Sequence, residues 1–241
     1  MPVADLEIDF AATRAELAAT SARLERKPPE AVLRWALRVF GSNVALATGF
    51  GSEGCVLIHM ISTIDKNARI FYLDTDLLFP ETYRLCQQLE ARFEVQIERQ
   101  ATSLSLNAQA NEYGDRLWER QPDVCCRLRK VEPLREILTG LRAWITSIRR
   151  DQTPARAQAD VIEWDRRFGL IKINPLVTWS AGDVWRYIEQ HEVPYNPLYN
   201  RGYESIGCAP CTTMVQIGED ARAGRWRGST KTECGLHHET D

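Results

Sequence analysis

Apolar positions first recur at helical spacing and then in short runs that alternate with further helical stretches. Residues 11–26 (AATRAELAATSARLER) set Ala and Leu against Glu and Arg at a period that predicts an amphipathic helix. Residues 28–40 (PPEAVLRWALRVF) predict a second, with proline at its start and Gly41 just past its end. The alternation begins at NVALAT (43–48), a short apolar strand, followed by GSEGCVLIHMIS (51–62), a helix entered through glycines. ARIFYLDT (68–75) predicts a strand, PETYRLCQQLEARF (80–93) a helix with Pro80 in its first turn, and EVQIER (94–99) a strand. CRLRKVEPLREILTG (126–140) predicts a helix and RAWITS (142–147) a strand. Strand-like stretches near 161–165 and 168–174 precede a helix at 180–192. Strands alternating with helices imply βαβ units, hence an α/β fold with a Rossmann-like parallel sheet flanked by helices. Three parts follow: N-terminal helices over 1–42, the α/β core over 43–192, and a loop-rich segment over 193–241 with Pro194, Pro197, Pro210 and three of the seven cysteines.

Composition narrows the class. The chain has 241 residues, 44% hydrophobic and 26% charged, ordinary for a soluble globular protein. No apolar run approaches a membrane span, and the net charge of −3 disfavours a broad nucleic-acid surface. MPVADLEIDF is acidic, with no basic or apolar leader pattern, so a cytoplasmic location is the expectation. Seven cysteines in such a compartment point to metal binding or catalysis rather than disulfides.

Three strand ends carry candidate anion chemistry. Ligands of open α/β sheets bind beyond the carboxyl ends of the strands. ATGFGSEG (47–54) offers small residues ahead of a helix N-terminus, but has neither a Walker lysine nor a GxGxxG pattern. LDTD (73–76) follows the second strand and reads equally as a capping turn. Arg149, Arg150 and Arg156 cluster after the strand at 142–147. Each alone is weak; together they favour a nucleotide site.

The cysteines divide into groups. Cys125 and Cys126 are adjacent, and Cys208 and Cys211 form CAPC. Four thiolates suit zinc or an iron–sulfur cluster, and a vicinal pair is unusual for zinc. Cys55 and Cys86 sit among apolar neighbours at helical spacing, as small core residues do. Cys234 lies in KTECGLHH (231–238), a polar stretch that predicts an exposed or mobile thiol. Nearby Lys231, His237 and His238 would favour its thiolate, and Glu233 would oppose it.

CCRLRKVEPL (125–134), CAPCT (208–212), KTECGLH (231–237), LDTDLLFPETY (73–83) and RRDQTPARA (149–157) together resemble the assimilatory sulfonucleotide reductases, and most closely their iron–sulfur branch, the adenylylsulfate (APS) reductases. The resemblance runs from about Ala45 to His237. It implies an adenine-nucleotide α-hydrolase-like fold whose C-terminal tail carries the nucleophile. Cys125, Cys126, Cys208 and Cys211 would hold a 4Fe–4S cluster, and Cys234 would attack sulfur. Thr48, Gly49, Phe50, Gly51, Ser52 and Glu53 would contact the phosphate and sulfate region, and Leu73 and Thr75 the adenosine. Lys130 would lie between cluster and substrate. Arg156 would sit on the substrate loop, and Arg222, Arg225 and His237 would bind the sulfate and phosphate end as the tail closes. The family reaction takes adenylylsulfate to sulfite and AMP in sulfate assimilation and cysteine biosynthesis, through an S-sulfocysteine that thioredoxin or glutaredoxin resolves. A homo-oligomer is also implied.

The sequence departs from the family at Asp76, where LDTD replaces a frequent LDTG, and at Ser147, where glycine is expected. The nearest rivals are a PAPS reductase or a dual APS/PAPS enzyme, although the 3′-phosphate-specific branch lacks both cysteine pairs. An ATP-pyrophosphatase-type enzyme would need an SGGxDS loop, which TGFGSE (48–53) does not match. A non-catalytic iron–sulfur or zinc redox sensor would leave the strand-end loops unexplained.

Overall fold

The computed structural model describes residues 14–231 and 233–236. Two helices open it, α1 (Arg14–Leu24) and α2 (Pro29–Phe40). Then β1 (Val44–Thr48), α3 (Ser52–Ile64), β2 (Arg69–Asp74), α4 (Pro80–Phe93) and β3 (Ile97–Ala101) form two βαβ units. A chain of short helices follows: α5 (Leu106–Tyr113), α6 (Leu117–Arg120), α7 (Pro122–Cys126), a π-helical turn (Arg127–Val131) and α8 (Glu132–Leu138). β4 (Ala143–Ile145), β5 (Ile162–Asp165), β6 (Leu170–Ile173) and α9 (Ala181–His191) complete the regular elements.

The strands form one sheet in the order β3-β2-β1-β4-β6-β5. Every pairing is parallel except β5 with β6, which is antiparallel. The parallel expectation therefore fails at one edge: only a tight turn over 166–169 separates β5 from β6, too short for a parallel crossover.

Alternation along the strands builds a core on each face. Val44, Leu46, Ile70, Tyr72, Ala143 and Ile145 face one core with α2, α3 and α9. Ala45, Phe71 and Trp144 face a second with Leu134, Ile137 and Leu138 of α8. Leu17 and Leu24 of α1 join the first core, so the N-terminal helices pack on the sheet itself. Cys55 and Cys86 are buried there too, and burial pushes each thiol up to about 12.

The strand order reverses between β1 and β4. The crossovers from β1 to β2 and from β2 to β3 lie on the first face, and the connection carrying α8 lies on the other. A crevice opens at such a switch point, at the carboxyl ends of the strands.

Candidate active site

A cavity of about 200 Å³ lies at that switch point. Ala47, Thr48, Gly49 and Gly51 enter from the end of β1, Phe71 and Leu73 from β2, and Trp144 and Ser147 from β4. These apolar residues continue the second core outward, and Leu134 of α8 and Leu236 of the tail extend the same wall. The remaining wall is cationic: Lys130, Arg156, Arg222 and Arg225, with Glu233 and Cys234 beside them. One end suits a flat apolar ring and the other a multiply charged anion.

Two buried nitrogens strengthen the anion assignment. Among the described residues, the Nε of Arg156 and of Arg225 have no hydrogen-bond partner. Arg156 is 7% exposed, and its two terminal nitrogens already donate to Gln152 Oε1 (2.5 Å) and Glu233 Oε2 (2.9 Å). An orphaned guanidinium N–H in a buried site is costly unless a ligand accepts it. Arg225 stacks 4.5 Å over the Trp226 ring and reaches the cavity past Gly207, where a Cβ would lie 2.3 Å from the guanidinium.

Cys234 is half-buried on this wall, not exposed as a polar tail predicts. The tail packs because Trp226 is buried and because Glu233 bridges Arg156 and Arg222. Burial alone would raise the Cys234 thiol. Lys130, Arg225 and the backbone N–H of Leu236 outweigh burial and the opposing Glu233, so the thiol sits below its ordinary value. A depressed thiol pKa in a cationic pocket is the setting that a nucleophilic cysteine needs.

The other four cysteines meet at a second, small cavity adjoining the first. Cys125, Cys126, Cys208 and Cys211 line it with Thr75, Trp118, Arg129, Lys130 and Trp226. Adjacent helical residues point about 100° apart. Here α7 ends at Cys126 and the wider π turn follows, so both thiols and Lys130 reach the same space. The opposite pair is stitched down by Ala209 N–H donating to Leu77 O (2.7 Å) and by contact of Thr75 Oγ1 with Cys208 Sγ (3.2 Å). Burial and then the neighbouring sulfurs push Cys125 up to about 12 and Cys211 up to about 11. Neighbouring sulfurs thus oppose ionisation at Cys125 and Cys211, and a group of four thiols of this kind is a donor set suited to a shared cationic centre. Among the described residues, no group of three or more His, Cys, Asp or Glu, these four cysteines included, stands close enough to hold a metal ion as placed.

Several sequence-flagged residues stand elsewhere. Phe50 is buried at φ 58° with its ring against Tyr72, and so is a core residue. The Ser52 N–H donates to Tyr199 Oη (3.1 Å). Glu53 pairs with Arg149 and accepts from Gln152 (3.0 Å), tying the first loop to the arginine loop. Thr75 faces the thiol cavity and Arg150 pairs with Glu25, so Arg156 alone of the three loop arginines lines the nucleotide-sized cavity. Asp76 points away from that cavity, toward Arg99 (2.9 Å) and the buried Arg129 (3.1 Å). Its φ of 56° is the left-handed conformation in which glycine is at home. His237 lies outside the described residues. The wall formed by Trp144, Leu134 and Ile206 was not legible in the sequence, nor was the buried Arg129, which donates to Thr75 O (3.0 Å); such contributions come from distant segments and carry no local motif.

Comparison with known proteins agrees with this geometry. Residues 43–214 match the Phosphoadenosine phosphosulfate reductase domain family. The chain is 49% identical to an adenosine 5′-phosphosulfate reductase of Salinibacter ruber, over 92% of this chain and 88% of that protein. It is 48% identical to adenosine 5′-phosphosulfate reductase 1 of Bacillus subtilis, over 86% and 89% of the two chains. Among solved structures it resembles phosphoadenylyl-sulfate reductase from Candida auris, in a phosphate complex, with a TM-score of 0.75 and 33% identity, covering 87% of this chain and all of that one. FMN adenylyltransferase of Candida glabrata shares the fold alone, with a TM-score of 0.57 at 14% identity over 85% and 69% of the chains. With a family match over most of the chain and relatives near half identical along their length, this protein belongs to the phosphoadenosine phosphosulfate reductase family and groups there with the adenosine 5′-phosphosulfate reductases.

Proposed function

We propose that the chain reduces adenosine 5′-phosphosulfate to sulfite and AMP. The observation that carries this is the convergence of a pKa-lowered thiol, Cys234, with Lys130, Arg156, Arg222 and Arg225 on one cavity at the switch point. The adenine lies against Leu73 and the apolar wall, and the phosphosulfate lies at the cationic end, where the two partnerless Nε groups donate. Thr48, Gly49 and Gly51 flank it, while Phe50, Ser52 and Glu53 shape that loop from behind.

The chemistry balances as two thiol exchanges at sulfur. The Cys234 thiolate attacks the sulfate sulfur, an S–S bond forms, and the sulfur–oxygen bond to the AMP phosphate breaks. AMP leaves with that electron pair, and Lys130 and the arginines offset charge on the departing and remaining oxygens. A dithiol donor then attacks Cys234 Sγ. Sulfite leaves with the S–S pair as a mixed disulfide forms between the donor and Cys234; the donor's second thiol then attacks the donor sulfur of that bond, closes its own disulfide and expels Cys234 as thiolate. Cys55 and Cys86 are buried, so the resolving thiol comes from a separate protein of the thioredoxin or glutaredoxin type.

Cys125, Cys126, Cys208 and Cys211 fit a 4Fe–4S cluster. When bound, it supplies a fixed charge centre beside Lys130, and the thiols supply both electrons. Thr75 and Arg129 hold the cysteine-bearing segments around it. A reducing, cytoplasmic setting suits both the free thiols and the dithiol donor; among the described residues no helix is long and apolar enough to cross a membrane.

Anaerobic incubation with adenosine 5′-phosphosulfate, followed by intact mass and peptide mapping, tests the proposal. One SO₃ adduct on Cys234, released as sulfite by reduced thioredoxin, is expected. Cys234→Ser should give no adduct while keeping the cluster chromophore. The 3′-phosphorylated substrate serves as the parallel arm, and faster reaction with it would reassign the specificity. No adduct on a protein that binds AMP would overturn the chemistry.

A further inference from the structure

Glu233 immediately precedes the nucleophile and is 9% exposed. Its Oε2 accepts from Arg156 (2.9 Å) and Arg222 (3.2 Å), and its Oε1 from the Thr153 hydroxyl (3.4 Å). These partners come from separate places. Thr153 and Arg156 belong to the loop after β4, and Arg222 to the turn that follows the CAPC segment. One carboxylate thus joins three segments at the edge of the cavity.

Among the described residues beyond Lys231, Glu233 carries the single charged side chain. Leu236 adds an apolar hold against the second core. Upstream, the tail is fixed by Lys231 pairing with Asp123 and by buried Trp226, neither of which sets where Cys234 points. The guanidinium of Arg156 is gripped on one side by Gln152 and Glu233, while its Nε remains without a partner. The carboxylate therefore takes up arginine donors without exhausting them. The closure needs no bound nucleotide, because its counter-ions are built into the protein.

We propose that Glu233 is the positioning residue that seats Cys234 over the cavity, its carboxylate clamping the tail to Arg156 and Arg222 before substrate arrives. This rests on the assignment of Cys234 as nucleophile toward adenosine 5′-phosphosulfate. Ion pairs taken out of water hold their geometry only while both partners are charged. Neutralising the carboxylate with an isosteric amide thus releases the tail and leaves its shape otherwise intact. The apolar wall and the cations Lys130 and Arg225 are unaffected, so AMP, which lacks the sulfate, still binds.

The test uses the cluster-containing enzyme with Glu233→Gln, and Glu233→Asp as a charge-retaining control. Iodoacetamide labelling of Cys234 without nucleotide should accelerate at least five-fold in Glu233→Gln. S-sulfonation at saturating substrate should slow at least ten-fold, while the AMP dissociation constant changes less than two-fold. Glu233→Asp should fall between wild type and Glu233→Gln in both rates. Labelling at the wild-type rate overturns the proposal. So does AMP affinity that falls in step with the S-sulfonation rate, since Glu233 would then only shape the arginine site. Should Glu233→Gln fail to fold, the aspartate variant carries the same comparison. Wild-type enzyme that forms no adduct would instead overturn the proposed reaction, and the labelling arm, which uses no substrate, would still judge the seating.

Discussion

At the residue scale, the Cys234 thiol is lowered chiefly by Lys130, a neighbour from another segment. Burial pulls the Lys130 ammonium down, but Cys208, Cys234 and Cys126 hold it charged and above its ordinary value. Lys130 is in turn the first of the groups that lower Cys234. Lys130→Met should therefore raise the thiol pKa, moving the alkylation profile of Cys234 to higher pH and slowing labelling near neutrality. Loss of a charge stabiliser of this kind costs about 10²-fold in rate, so S-sulfonation at saturation should fall by roughly that factor. An unmoved profile would show that Arg225 and the Leu236 N–H suffice. The cysteines were legible in the sequence because their spacing is local. The arginines were not sorted: Arg149, Arg150 and Arg156 look alike in a run, and only the positions of Glu53, Glu25 and Glu233 decide which of them lines the cavity. Asp76 was visible as a departure from glycine, but its pairing with Arg99 and Arg129 depends on side chains from β3 and the π turn.

At the element scale, the readable boundaries are those with a local physical cause. Helix α4 spans Pro80–Phe93 as the sequence predicts, because proline fits its first turn and Glu94 ends it in the left-handed conformation. The stretch predicted as one helix over 126–140 instead divides into α7, the π turn and α8. A wider turn bears no clear sequence mark, yet it brings Lys130 to the thiols. The end of β2 shows how elements are bound together. Asp74 accepts from the Tyr83 hydroxyl of α4 (2.7 Å) and from Arg99 of β3 (2.6 Å). Burial pushes its carboxyl up, but Tyr83, Arg99 and the Asp76 N–H together hold it below the usual value. Tyr83→Phe removes one bond to a charged acceptor and should lower unfolding stability by about 1–2 kcal/mol near pH 7 in urea titrations. The sign follows from linkage. A carboxyl whose folded pKa is depressed contributes fully above its unfolded value, near pH ~4, and loses that contribution as pH falls through the folded value. The gap between wild type and Tyr83→Phe should accordingly narrow below about pH 4. A gap that widens on acidification would mean that Asp74 is not the partner through which Tyr83 acts.

At the scale of the whole molecule, the two cavities are mechanically one. The sheet carries much of the apolar half of the cavity; the strands and the loops at their carboxyl ends were readable from the sequence, but the side chains that form that wall were not. Half of the cationic wall, Arg222 and Arg225, hangs on the segment after Cys211, which has no helix or strand among its described residues and packs through isolated contacts. Leu78 bridges Cys208, Thr212 bridges Arg225, and the Trp226 N–H donates to Cys211 O (3.0 Å). Arg222, Arg225, Glu233 and Cys234 all lie downstream of the second cysteine pair. A cluster shared by Cys125, Cys126, Cys208 and Cys211 would therefore pin this segment to α7, much as a cross-link closing a long loop restrains it. The sheet and its two cores contain none of these four cysteines and should survive loss of such a cluster. Removing iron anaerobically with a chelator should thus leave far-ultraviolet dichroism nearly unchanged. Hydrogen exchange over residues 205–236 should rise at least ten-fold, Cys234 should label faster, and β1, β2 and β4 should stay protected. The tail and strands loosening together would show that the four thiols support the fold itself. A tail that stays protected without iron would show that Trp226, Leu236 and the clamp at Glu233 hold it unaided.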